Sequence, residues 1–212
     1  MAAPTYTAYG DSRSGNCYKV QLVLAHCGIA HRWEEVDVLS GRTRSPEFLA
    51  RNPNGKVPVL ERADGATLFE SNAIIAYLGR DSALWPQDPW QQAQVLQWQN
   101  FEQYSHEPYI AVARFLKHFL GLPAECAAEF AAKQEGGHRA LAVMESWLQE
   151  RDWFVGGALS LADISLYAYT HVADQGGFDL AAYPAVRAWL DRVAAQPGHV
   201  PMRDPAPPQV PG

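Results

Sequence analysis

The feature that most constrains this chain is the run Asn52-Pro53-Asn54-Gly55-Lys56-Val57-Pro58-Val59-Leu60, completed by Phe69-Glu70-Ser71-Asn72-Ala73-Ile74. The first piece reads as a turn feeding a short apolar strand, with a proline at its entrance. Proline has no N–H to give to a sheet ladder, so Pro58 belongs at a first position, an edge or a bulge. An X-Pro bond is also the one place where a cis peptide costs only about 0.5–1 kcal/mol. A cis Val57-Pro58 bond would turn the Val57 main chain outward, ready to pair with an extended peptide. Val57–Leu60 and Ala66–Phe69 flank Asp64-Gly65, which predicts a hairpin. Ser71 then opens a helix with Ile74, Ile75 and Leu78 on its inner face. Glu70-Ser71 thus offers a carboxylate and a helix N-terminus to the charged end of such a peptide.

The rest of the first half alternates. Thr5 to Tyr9 is β-prone and Gly10 to Asn16 is turn-rich. Cys17 to Cys27 has helical spacing through Val20, Val23, Leu24 and Cys27, with Gly28 as a stop. Arg32 to Leu39 alternates as a strand does. Ser45-Pro46-Glu47 starts a short helix, with serine at the cap and proline just inside, ending near Asn52-Pro53. The order β-α-β-α-β-β-α predicts a partly parallel sheet covered by helices. This domain spans 1–80. A linker, 81–89, carries Pro86 and Pro89.

Residues 90–196 read as helices only. The first is long, runs to about Leu120, and points Leu96, Trp98, Phe101 and Tyr104 inward, then Val112, Phe115, Leu116 and Phe119. Pro108 is expected to kink or break it. Pro123 to Glu150 follows, with Gly136-Gly137 as a weak point. Leu159-Ser160-Leu161-Ala162-Asp163-Ile164 reads as a capping box with a hydrophobic staple, Asp standing where Glu is usual. Tyr183 to Ala195 is a last helix. The Pro-rich tail, 197–212, is expected on the surface or without fixed structure.

A formal net charge of −6 argues against nucleic acid or an anionic membrane as partner. Three cysteines, Cys17, Cys27 and Cys126, fit neither a zinc site nor a disulfide framework and favour a reducing compartment. No metal is expected. No apolar run approaches the roughly 20 residues of a membrane span, and no leader-like segment opens the chain, so a cytoplasmic location is expected.

Taken together, the Val-Pro before a hairpin, Glu-Ser at the next helix start, and the Ser-x-x-Asp box in an all-helical second half resemble the cytosolic glutathione S-transferases. The resemblance covers about Thr5 to Ala195 and is nearest the bacterial serine-type or asparagine-type members. It implies a thioredoxin-like α/β N-terminal domain, an all-α C-terminal domain and a homodimer. It also implies that glutathione is the co-substrate, its thiol activated for attack on a small hydrophobic electrophile or hydroperoxide, as in detoxification. By the same resemblance, Val57 and Pro58 hold the cysteinyl part, Glu70 and Ser71 the γ-glutamyl end, and Lys56 or Arg44 (with Arg42) the glycyl carboxylate. The thioredoxin cysteine pair corresponds here to Ser14-Gly15-Asn16-Cys17. Ser14 is then the expected hydrogen-bond donor to the sulfur, and Asn16 the second candidate. Cys17 keeps the usually shielded sulfur, and Tyr9 and Tyr6 are fallbacks. The electrophile is expected in a cleft between the domains near Phe101, Tyr104, His106, Tyr109 and Arg114. Two alternatives remain open: a glutathione-dependent disulfide-bond reductase, and a non-catalytic glutathione-binding module. Each position also has a plain structural reading: a strand entrance at Val57, a helix cap at Ser14 or Ser71, solvated charges at Lys56 and Arg44, core aromatics on the long helix.

Overall fold

The computed structural model describes residues 5–203, which fall into two compact units. The first comprises the described residues up to Ser82 together with those from Pro197; the second is Ala83–Gln196. The remainder of the predicted tail, from residue 204, lies outside the described residues.

In the first unit, β1 (Tyr6–Gly10) runs parallel to β2 (His31–Glu35) and antiparallel to β3 (Val59–Arg62), which pairs with β4 (Thr67–Phe69). The sheet order is β2-β1-β3-β4. Three helices accompany it: α1 (Gly15–His26), α2 (Pro46–Arg51) and α3 (Ser71–Gly79). The β-α-β-α-β-β-α order is therefore present. Two boundaries differ from expectation. β3 starts at Val59, because Pro58 has no N–H for the ladder. The predicted strand Arg32–Leu39 stops at Glu35, and 3-10 turns at Val38–Ser40 and Arg42–Arg44 follow. Asp37 caps the first of these turns through the Leu39 amide, a local hydrogen bond that competes with strand pairing.

α1 buries far more than the predicted stripe: Cys17, Tyr18, Lys19 and Leu22 are buried beside Val20, Val23 and Leu24. α1 packs against α3. Its Tyr18 hydroxyl donates to the Val200 carbonyl at 2.7 Å. The described start of the Pro-rich tail is thus fastened to the helix.

In the second unit, α4 (Pro89–Phe101) passes through a π turn at Glu102–His106 into α5 (Glu107–Arg114) and a second π turn at Phe115–Phe119. The expected break at Pro108 is not made. Pro108 sits in the first turn of α5, and the wider π turn just before it absorbs the hydrogen bond that proline cannot donate. The inward stripe is also displaced. Val95, Trp98, Gln99, Glu102 and His106 are buried, whereas Leu96, Tyr104 and Phe115 are exposed.

α6 (Ala127–Leu148) runs unbroken through Gly136-Gly137. These glycines are close-approach positions rather than weak points. A methyl added at Gly136 would sit 2.1 Å from the Tyr109 ring, and one at Gly137 would sit 2.3 Å from the Phe178 ring. α7 (Leu161–Thr170) is buried on every face and is packed by α4, α5 and α8 (Pro184–Ala194). The capping box at Ser160 and Asp163 is formed.

Candidate functional site

The first functional segment is the loop between β1 and α1. Asp11 is buried and is gripped by Arg13 through two bonds, Nε to Oδ1 at 2.9 Å and Nη2 to Oδ2 at 2.7 Å. Arg13 also reaches Asp37 at 2.8 Å. Burial alone would raise the Asp11 carboxyl, but donation from the Arg13 side chain and the Val38 amide holds it below its usual range. On the other side, Ser12 donates from N and Oγ to Glu35 at 2.8 and 3.1 Å. The loop is thus clamped before α1 begins, and Ser14 is fixed at the helix N-cap. Ser14 has extended backbone, and its side chain makes no capping bond to the helix amides. The hydroxyl instead engages Cys17. Burial pushes that thiol up to about 12, with the Ser14 hydrogen bond working against the shift. Cys17 is completely buried and stays protonated at neutral pH, which separates it from reactive thiols, whose pKa is lowered and which are partly exposed.

Asn16, in the first turn of α1, accepts at Oδ1 from Lys19 Nζ at 2.9 Å and from the Ser71 hydroxyl at 3.1 Å. An ammonium can only donate, so the Asn16 atom facing it must be the oxygen. The first turns of α1 and α3 are therefore joined side chain to side chain. Lys19 was not among the residues singled out from the sequence. The available signal was its spacing, three residues after Asn16 on a helix otherwise flanked by Tyr18 and Val20.

The second segment is the turn before β3. Asn52 shapes it, donating from Nδ2 to the Lys56 carbonyl at 2.7 Å and accepting from the Asn54 amide at 3.0 Å. Gly55 has φ +62, a conformation that favours glycine, and a methyl there would also press on the Thr43 carbonyl at 3.0 Å. Arg44 donates to the Asn54 carbonyl at 3.3 Å and is otherwise exposed, as is Lys56. The Val57-Pro58 peptide is cis. Val57 is half-buried against the Val36, Phe48 and Val59 cluster and lies ahead of the ladder that begins at Val59.

The third segment is the start of α3. Glu70 stands at its N-cap with φ 69, a positive value that a non-glycine residue rarely holds. Such a conformation costs on the order of 1–3 kcal/mol and is typically kept at functional sites. Ser71, buried, is the first helical residue of α3, and the leading amides of a helix are not spent on bonds within it.

Ser14, Asn16, Glu70 and Ser71 thus form one constellation, through the contact of Asn16 with Ser71. Two helix N-termini and a buried ammonium converge there, in a chain of net charge −6. That arrangement favours an anion, whether carboxylate or thiolate. Both tyrosine fallbacks are otherwise engaged. Tyr9 donates to Glu61 at 2.9 Å, and the Tyr6 and Tyr77 hydroxyls are paired at 3.3 Å.

In the second unit, Phe101, Tyr104 and Tyr109 line one concavity of about 220 Å³ with Gly136 and Arg139. His106 does not join them. It is completely buried, with Nε2 2.9 Å from the Thr170 hydroxyl. Arg114 is likewise buried and donates to Gln175 at 2.6 Å. Both were expected at the electrophile site, and both are instead packed in the core of the unit. Among the described residues no group of three or more His, Cys, Asp or Glu side chains is placed to hold a metal ion, and no helix is long and apolar enough to cross a membrane.

The glutathione S-transferase N-terminal domain family matches residues 13–81, and the C-terminal domain family matches residues 98–197. A solved glutathione S-transferase from Pseudomonas fluorescens is 55% identical, with a TM-score of 0.93, covering 94% of this chain and 100% of that one. The disulfide-bond oxidoreductase YfcG of Escherichia coli is 30% identical over 189 residues, 86% of this chain and 87% of that protein. A solved structure of Ure2p in complex with glutathione is 26% identical with a TM-score of 0.82, covering 93% of this chain and 97% of that one. The chain spans about two thirds of the length of the first curated URE2 relatives it matches.

Proposed function

Because the chain belongs to the glutathione S-transferase family, we propose that it binds glutathione in the first unit and activates its thiol for transfer to a small hydrophobic electrophile or hydroperoxide. The observation that carries this reading is the junction of Asn16 with Ser71, which brings the two helix N-termini together beside a buried ammonium. In this reading the γ-glutamyl α-carboxylate rests on the leading amides of α3 and its α-ammonium on Glu70. The cysteinyl main chain pairs with Val57 ahead of Pro58, and the glycyl carboxylate faces Lys56 and Arg44. The sulfur lies at the N-terminus of α1, where the Ser14 hydroxyl donates to the thiolate and Asn16 stands two residues further on, in the first turn. The concavity beside Phe101, Tyr104 and Tyr109 receives apolar groups. The chain acts as a homodimer. The protein acts in the cytoplasm, in detoxification.

A second reading is favoured by the likeness to YfcG: reduction of disulfides by glutathione. It would proceed through glutathione thiols alone, since the Cys17 thiol is buried and pushed up to about 12. Turnover of 1-chloro-2,4-dinitrobenzene, of cumene hydroperoxide and of a glutathione mixed disulfide separates the two. Conjugation of the first compound with loss of chloride, or reduction of the second to its alcohol with formation of glutathione disulfide, at rates well above the uncatalysed reaction is the expected result. Activity confined to the mixed disulfide makes the chain a reductase. Glutathione binding with no turnover of any of the three makes it a binding module.

A further inference from the structure

We propose that Lys19 is a positioning residue for glutathione, its buried ammonium fixing Asn16 and Ser71 and supplying the positive charge behind the γ-glutamyl α-carboxylate. The inference rests on the reading of the site given above and deepens it. Lysine is among the residues least often fully buried, because its charge loses its hydration there. Lys19 is nonetheless completely buried, in the second turn of α1.

Its ammonium lies 2.9 Å from Asn16 Oδ1 and 3.5 Å from Ser71 Oγ. The Ser71 hydroxyl in turn donates to Asn16 Oδ1 at 3.1 Å. The three groups close a triangle of three hydrogen bonds. Lys19 donates to both oxygens, and Ser71 donates to Asn16. Two consequences follow. The Asn16 amide oxygen is committed to this triangle, so its orientation is set by Lys19. The Ser71 oxygen is turned toward the ammonium, which leaves the Ser71 backbone N–H to meet a ligand carboxylate.

A carboxylate received on that N–H lies at the buried residue whose hydroxyl the buried ammonium contacts. In such a setting a charge acts through far less screening than on the surface. The effect is specific to a ligand carrying a negative charge at that end.

The test compares two tripeptides by titration calorimetry: glutathione, and 4-aminobutyryl-cysteinylglycine, which keeps the amine and lacks the α-carboxylate. The proteins are the wild-type chain, Lys19→Met and Lys19→Gln, the glutamine retaining a donor for Asn16 without the charge. Thermal unfolding establishes that each variant is folded. The expected result is a loss of glutathione affinity of roughly ten-fold or more in both variants, with affinity for the decarboxylated peptide changed by less than about three-fold. Equal losses for the two peptides, or no loss for either, overturn the assignment. Failure of the wild-type chain to bind glutathione at all would overturn the reading of the site itself, and that is seen before any variant is made.

Discussion

Ser14→Ala is expected to raise the pKa of bound glutathione by at least about one unit, read from thiolate absorbance across a pH titration. A free thiol near 8.5 is only a few per cent ionised at neutral pH. Lowering it by two units takes about 2.7 kcal/mol of preference for the anion. A hydrogen bond to a charged group contributes roughly 1.5–3 kcal/mol. A partly buried helix terminus adds up to about 2 kcal/mol. One hydroxyl and one helix end are enough.

Ser14 has the position for this. It is the N-cap of α1, its loop is clamped by Arg13 and Glu35, and its hydroxyl is not spent on capping. Its hydroxyl lies against the buried, neutral Cys17 thiol. For a reaction limited by thiolate concentration, Ser14→Ala is also expected to lower turnover at neutral pH, by roughly ten-fold, and to shift the pH–rate profile upward. An unchanged titration with Ser14→Ala, beside a raised one with Asn16→Ala, would transfer the role to the Asn16 amide.

The second large effect concerns stability. Asp163 is completely buried and accepts from four donors: Ser160 N at 2.9 Å, Ser160 Oγ at 2.7 Å, Phe154 N at 3.1 Å and Trp189 Nε1 at 3.0 Å. Burial pushes the carboxyl up, and these donors hold it down against that. One side chain thereby joins the start of α7, the loop at Phe154 and the last helix. Asp163→Ala strands four donors in an apolar interior, each costing about 1–3 kcal/mol when unsatisfied. The losses are not additive, and a total of about 4 kcal/mol or more is expected. Ser160→Ala removes part of the same box and costs about 0.5–2 kcal/mol. Urea unfolding of the two variants beside the wild-type chain checks the ranking. Glutathione affinity of the folded Asp163→Ala protein is expected to stay near wild type, because Asp163 belongs to the second unit.

The parts of this molecule that were legible in the sequence are those written in local chemistry. Val57-Pro58 announces a strand entrance because proline has no N–H. Ser160 and Asp163 announce a helix start because their side chains reach amides within three residues. The β-α-β-α-β-β-α order follows from turn residues such as Asp64-Gly65 and Gly28. What was not legible depends on partners distant in the chain. Gly136 and Gly137 weaken an isolated helix, yet they are where the rings of Tyr109 and Phe178 press against α6. Pro108 breaks an ideal α-helix, yet a π turn passes it. That insertion also rotates the faces of the helix, which is why Tyr104 is exposed and His106 is buried against Thr170. Lys19 reads as a surface charge until α3 is packed against α1. Glu70 announces a carboxylate but not its positive φ, which only the three-dimensional path of the chain reveals.

A crystal structure of the chain with glutathione is the most direct test. The expected complex pairs the cysteinyl main chain with Val57, sets the γ-glutamyl α-carboxylate on the first amides of α3 beside Glu70 and Ser71, and brings the sulfur within about 3.5 Å of Ser14 Oγ. A tripeptide bound away from Val57 and Ser71, or one whose sulfur is out of reach of both Ser14 and Asn16, would contradict the assignment.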